Sequence, residues 1–206
     1  MRDIRSVFLN GSHDAKGKNV VFIDIGPAIA NDKNPGVTAV TLAEDFPSMQ
    51  VIGLDLPEQV EIFLTKINPD KVENVKSYKN FFILAGDGTL PLREQIQNGN
   101  WAWKDRKKPV IDKQAPVVIR MANSIDIYFP WSINRKVLND ISIDFESNPV
   151  LIFFNRSILY KASGSNKFKM IGYVSVRGFW HQDESLDRLG ESPYTLIDRS
   201  EIRESR

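Results

Sequence analysis

Val51-Ile-Gly-Leu-Asp55-Leu-Pro57 decides the fold. Val51 to Leu54 is an apolar run of strand length closed by an acid. Pro57 then opens a segment whose Val60, Ile62, Phe63, Leu64 and Ile67 predict a helix through Ile67. Proline suits the first helical turn, where its absent N–H would have had no partner. Upstream, Val37, Val40, Leu42 and Phe46 lie near helical spacing, and Pro47-Ser48 stops that helix. Before it, Val20-Val-Phe-Ile23 predicts a buried first strand ended by Asp24-Ile-Gly26, and downstream Phe81-Phe-Ile-Leu-Ala85 predicts a third. Parallel neighbours need a crossover that a helix usually supplies. The right-handed sense of such crossovers then predicts an α/β three-layer sandwich around a doubly wound, mostly parallel sheet.

Further strands are expected at Ser124-Ile-Asp-Ile-Tyr-Phe129 and Val150-Leu-Ile-Phe-Phe154, with a helix from Asn134 to Ile143 between them. Lys169-Met-Ile-Gly-Tyr-Val-Ser-Val176 predicts a later strand, half of an antiparallel edge pair. From His181 onward charged and turn-forming residues dominate, so the expected organisation is one domain over 1–180 and a charged tail over 181–206. A chain of 206 residues that is 42% apolar can bury one sizeable core. Its 27 basic and 26 acidic residues leave a net charge of +1, so a charged partner has to be met by a local patch. The absence of cysteine excludes disulfides, thiolate zinc sites and a cysteine nucleophile, and fits a reducing compartment. Neither a signal-like N-terminus nor a bilayer-length apolar segment is visible, and a cytoplasmic protein is expected.

In a doubly wound sheet, ligands bind beyond the carboxyl ends of the strands. The expected strand ends here are Asp24-Ile-Gly26, Asp55-Leu-Pro57, Gly86-Asp-Gly-Thr89 and Phe129-Pro-Trp131. A carboxylate at the place of Asp55 can accept hydrogen bonds from both hydroxyls of a ribose. Its alternative use is to cap the helix that begins near Pro57. Asp87 can accept from an adenine amino group while the flanking glycines let the base approach the backbone, or it can simply shape the turn.

Together these segments resemble the class I S-adenosylmethionine-dependent methyltransferases over about Val20 to Phe154. The resemblance is carried by Phe22-Ile-Asp-Ile-Gly26, by Leu42 to Pro57, and by Leu84-Ala-Gly-Asp-Gly-Thr-Leu-Pro91. It implies a Rossmann-like methyltransferase fold, S-adenosyl-L-methionine as cofactor, and methyl transfer to an acceptor that could be RNA, a small molecule or a protein. It would put Asp24 and Gly26 near the methionine moiety, Asp55 with Leu56 at the ribose, and Asp87 with Gly88 near adenine. Gly36 would open the first helix as the family's loop glycine does. The chain departs from the family after Gly26, where Pro27 to Pro35 replaces a compact glycine run. That loop either bulges beside the cofactor or occludes it, and occlusion would leave a noncatalytic module that binds a protein or RNA partner. No Gly-x-Gly-x-x-Gly triplet is present, which argues against a nicotinamide enzyme.

Ser124 to Trp131 locally resembles the fourth-strand region of aminoglycoside-resistance 16S ribosomal RNA methyltransferases, which makes Phe129 and Trp131 candidates for substrate contact. Trp131 would stack on a planar acceptor, or pack under the following helix. Trp101-Ala-Trp-Lys-Asp-Arg-Lys-Lys108 mixes aromatic and basic residues in a way that suits nucleic acid, and Arg120 and Arg135 extend it only if folding brings them together. Methyl transfer needs chiefly an in-line approach, so no catalytic base is assigned. His13 and His181 lie away from the strand ends, and no spacing suggests a metal site.

Overall fold

The computed structural model describes residues 20–121, 129–154 and 157–173. At its centre, β1 (Val21–Ile25) is buried along its whole length. It pairs in parallel with β2 (Gln50–Asp55) on one side and with β5 (Val117–Arg120) on the other. Outward from β2 come β3 (Phe81–Ala85), parallel, and the two-residue β4 (Asn100–Trp101), antiparallel. Outward from β5 come β6 (Val150–Phe154), parallel, then β7 (Ser157–Lys161) and β8 (Lys169–Tyr173), antiparallel in turn. The sheet order is therefore β4-β3-β2-β1-β5-β6-β7-β8.

Side chains alternate across a strand, so β1 feeds two cores. Val21, Ile23 and Ile25 pack toward α4 (Leu92–Asn98) and α5 (Trp131–Asp144), which contribute Leu92, Ile96, Val137, Leu138 and Ile141. Phe22 packs toward α1 (Val37–Asp45), α2 (Pro57–Lys66) and α3 (Pro69–Ser77), through Ala39, Ala43, Val60, Phe63 and Val75. Helices on both faces of a mostly parallel sheet make the three-layer, doubly wound architecture that the strand–helix alternation predicts. They also explain why the central strands read as unbroken apolar runs.

The strand at the other side of β1 is Val117–Arg120, earlier than the expected Ser124–Phe129, whose positions 124–128 lie outside the described residues. Val117 and Ile119 are fully buried on one face while Val118 packs on the other, the pattern of a strand covered on both sides. Two helices escape the sequence pattern for opposite reasons. α3 is mostly polar and buries only Val75, and α4 is short and buries only Leu92 and Ile96, four residues apart. β7 was also not expected, because it starts and ends on buried polar residues, Ser157 and Lys161. The edge strand expected from Lys169 does pair antiparallel, with β7. His13, His181, the 181–206 tail and the domain limit at 180 lie outside the described residues. Among the described residues no helix is long and apolar enough to cross a membrane.

Lys161 is inaccessible to solvent, and burial pulls its pKa down while the Glu146 charge opposes that shift. Its Nζ lies 2.9–3.3 Å from the carbonyl oxygens of Phe145, Glu146, Asn148 and Ala162. It thereby supplies the donor that the C-terminal end of α5 lacks. Lys161→Met should leave those acceptors unsatisfied and lower the unfolding free energy by about 1–3 kcal/mol. Urea denaturation measures this, and an unchanged midpoint would show that the α5 terminus does not need the ammonium.

Candidate functional site

The chain winds from β1 to β2 and β3 on one side, then crosses to β5 on the other, so the strand order reverses at β1. In doubly wound folds ligands bind in the crevice beyond the carboxyl ends of the strands that flank such a reversal, here β1 and β5. Asp24 and Arg120 are register partners on these two strands, so their side chains share the sheet face covered by α1 and α2. Arg120 Nη1 donates to Asp24 Oδ1 at 2.8 Å. The carboxylate is fully buried, whereas the Arg120 side chain is 25% exposed. Asp24 Oδ2 is buried without a hydrogen-bond partner among the described residues. Burial raises the Asp24 pKa to about 6 despite the opposing charge and hydrogen bond of Arg120, and the Asp55 charge adds to the rise. Between the ordinary carboxylate range and about 6 the folded chain holds a proton that the unfolded chain has lost. This group's contribution to stability therefore falls as pH rises through that window, by about 3 kcal/mol in all. A cation brought to Oδ2 would offset the cost.

Asp55 ends β2 and is 9% exposed. Its Oδ2 accepts from the Ile29 amide at 3.2 Å and its Oδ1 from the Leu56 amide at 3.0 Å. Burial raises its pKa, these two amides lower it, and Glu58 raises it. The N-cap of α2 is Leu56, which has no side-chain cap bond, so Asp55 is not the helix cap. It is instead a tie to the loop that follows β1. A carboxylate offers about four lone-pair sites, and two remain for a ligand.

That loop folds onto the sheet. Gly26, at φ 70°, donates its amide to Leu54 O at 2.9 Å. Ala28 adopts φ 55°, an uncommon conformation for a residue with a side chain, and its carbonyl accepts from the Asn31 amide at 3.0 Å. Ile29 is fully buried in the α1–α3 core, and a Cβ on Gly36, the left-handed N-cap of α1, would stand 3.0 Å from Ile29 Cδ1. Pro27 lies over Gly53, where a Cβ would meet its Cγ at 3.2 Å. Lys71 of α3 donates to the carbonyls of Asp32 and Lys33. Besides Ala28, only the tip, Asn31 to Asn34, is exposed. The longer loop is thus packed onto the sheet past the end of β1, held by its own apolar residues.

The third turn is shaped from within. Asp87 Oδ1 accepts from the Thr89 amide and hydroxyl, each at 2.8 Å. Gln95 of α4 reaches back: its Oε1 accepts from the Asp87 amide at 2.8 Å, and its Nε2 donates to Asp87 O, Leu90 O and Pro91 O. A Cβ on Gly86 would fall 2.3 Å from Gln95 Oε1, so this glycine serves the close approach of Gln95. Gly88, next in the turn, is half-buried. Leu56 (45% exposed), Leu90 (51%) and Phe129 (40%) are exposed apolar residues that follow β2, follow β3 and precede α5. Trp131, the first residue of α5, is half-buried with its ring centroid 6.2 Å from that of Phe154.

The aromatic and basic segment divides differently. Trp101 and Trp103 are buried and unavailable for stacking on a base. Arg106 lies 4.5 Å over the Trp103 ring and donates to the carbonyls of Tyr78, Phe81 and Lys76, so it closes the end of α3. Arg120 belongs to Asp24 at the opposite sheet edge, and Arg135 is exposed on α5; neither extends the segment. Arg120 and Gln95 are the site residues the strand-end motifs do not reveal. An arginine closing the apolar run Val117-Val-Ile is the one available signal for the first.

No protein-family model matches the chain, and no curated protein matches it in sequence. Among solved structures it is similar to PigF with SAH, at 13% identity and a TM-score of 0.40, over 72% of this chain and 36% of that one. It is also similar to the antibiotic-resistance methyltransferase Kmr, at 13% identity and a TM-score of 0.36, over 69% of this chain and 63% of that one. The chain thus spans about a third of the first protein's length and under two thirds of the second's.

Asp55→Ala should release the loop. Hydrogen bonds to charged groups contribute about 1.5–3 kcal/mol, so the Ile29 amide should exchange with solvent at least about tenfold faster. Hydrogen-exchange mass spectrometry over residues 26–36 reads this. Unaltered exchange there would mean that the loop stands without Asp55.

Proposed function

We propose that the crevice binds S-adenosyl-L-methionine and that the chain is a methyltransferase. The observation that carries this reading is the buried, unpartnered Oδ2 of Asp24, one strand away from Asp55. A buried acceptor without a donor needs explaining, and an ammonium group answers it with both charge and hydrogen bonds. The neighbouring Asp55 has lone pairs for a diol. A ligand with an amino-acid end and a ribose meets both demands, and the exposed apolar side chains of Leu56 and Leu90, after β2 and β3, suit a flat base.

In this reading Asp24 holds the α-amino group, Gly26 and Gly36 shape the backbone around the methionine moiety, Asp55 holds the ribose, and Asp87 with Gly88 borders the base. The bound sulfonium supplies an electrophilic methyl group. What the chain adds is orientation and exclusion of water, which suffice for an in-line displacement without a dedicated base. Phe129 and Trp131, at the start of α5, are the residues this reading gives to the acceptor, whose class is left open among RNA, small molecules and proteins. One observation favours a second reading, a noncatalytic module with a protein or RNA partner: the Ile29 amide already engages Asp55, on the side where a ribose would bind.

Calorimetry with S-adenosylhomocysteine separates the two readings. Asp24 must be ionised to receive an ammonium group, so affinity should hold above the pKa of about 6 and fall below it. The fall should approach tenfold per pH unit, with proton release on binding. Asp24→Asn should bind more weakly and flatten that profile. Absence of binding heat at neutral pH would overturn the cofactor reading, and a pH-independent affinity would remove Asp24 from it.

A further inference from the structure

The sheet edge opposite the crevice carries a groove of about 790 Å³. It lies between the turn from α1 into β2, the end of α3 and residues 106–110. Half-buried Met49, Tyr78 and Phe82 line it, and Lys79, Lys107 and Lys108 stand exposed around it. These lysines make no hydrogen bond or ion pair to any described residue, unlike Lys71, Lys136 and Lys161. Glu44 is the one acid among the described lining residues, and it is engaged with the Tyr78 side chain. Glu73 and Asp105 act on Arg106. The groove therefore has surplus positive charge, although the chain as a whole is nearly neutral.

The kind of anion follows from what stands beside the free cations. An arginine fork suits carboxylate and phosphate alike, and a lysine ammonium meets either as a point charge. Arg106, the one arginine of the groove, already directs Nη1 at the carbonyls of Tyr78 and Phe81 and Nη2 at that of Lys76. The free groups are ammonium ions, point charges with no fixed direction, which suit a run of phosphodiesters. Beside them the Tyr78 and Phe82 rings offer apolar surface for bases. We propose that this groove binds single-stranded nucleic acid, with Lys79, Lys107 and Lys108 on phosphates and Tyr78 against a base. The six residues of β2 place the groove roughly 20 Å from the crevice. Binding there does not require the cofactor reading.

Fluorescence anisotropy with a labelled oligouridylate of about ten nucleotides tests the proposal. Three phosphates neutralised by lysines predict that log K falls with log salt at a slope of about −2. Reversing the three charges together (Lys79→Glu, Lys107→Glu, Lys108→Glu) should weaken binding at least about tenfold at low salt. Because all three side chains are exposed, circular dichroism should show the variant folded. Tyr78→Ala should weaken binding about fivefold or more with the salt slope unchanged. No saturable binding by the unaltered chain would overturn the proposal, as would full binding by the folded charge-reversed variant. Displacement of the oligonucleotide by a polyglutamate peptide of equal charge would also overturn it, in favour of an acidic protein partner.

Discussion

Asp24 stands where the sheet is paired on both sides and covered on both faces, so its charge is shielded from water. Arg120 reaches one oxygen from the adjoining strand, and this contact requires β5 to lie beside β1 in the register that aligns the two residues. The reversal of strand order, the crevice and the buried carboxylate are thus one arrangement. Removing a single member of a buried ion pair leaves an uncompensated charge and is far more damaging than replacing both. Here one oxygen remains without a hydrogen bond from any described residue even with the pair intact.

Around that centre, polar side chains finish what the backbone leaves open. Asn80 Nδ2 lies within 3.2 Å of the carbonyls of Ala43, Phe46 and Met49, at the end of α1. Arg106 does the same for α3, and Lys161 for α5. Each side chain comes from another element, so each helix terminus is also a tertiary contact. Helices of nine to fourteen residues are marginal alone, and such contacts help to keep them on the sheet.

What was legible in the sequence follows burial. β1, β2, β3 and β6 are dense apolar runs, and α1, α2 and α5 show helical spacing, so these elements and the doubly wound class could be read directly. α3, α4 and β7 could not, because they are held by one or two core residues or by buried polar ones. The acids at the strand ends were visible as residues but not as partners. Nothing local says that Asp55 bonds the Ile29 amide 26 positions earlier, or that Arg120 meets Asp24 across 96. Trp101 and Trp103 were misleading for the same reason: beside lysines they read as a binding surface, while the fold uses them as core.

Gln95 has a wider consequence. With four hydrogen bonds from one amide, it makes the turn from Gly86 to Pro91 an extension of α4. A loop that must be ordered on association subtracts that entropy from the affinity. This turn is ordered beforehand, so a molecule arriving at Asp87 meets a surface as stiff as a helix. If a base borders Asp87 as proposed, selectivity there would come from fit to a fixed shape, because the turn is held against movement by Gln95.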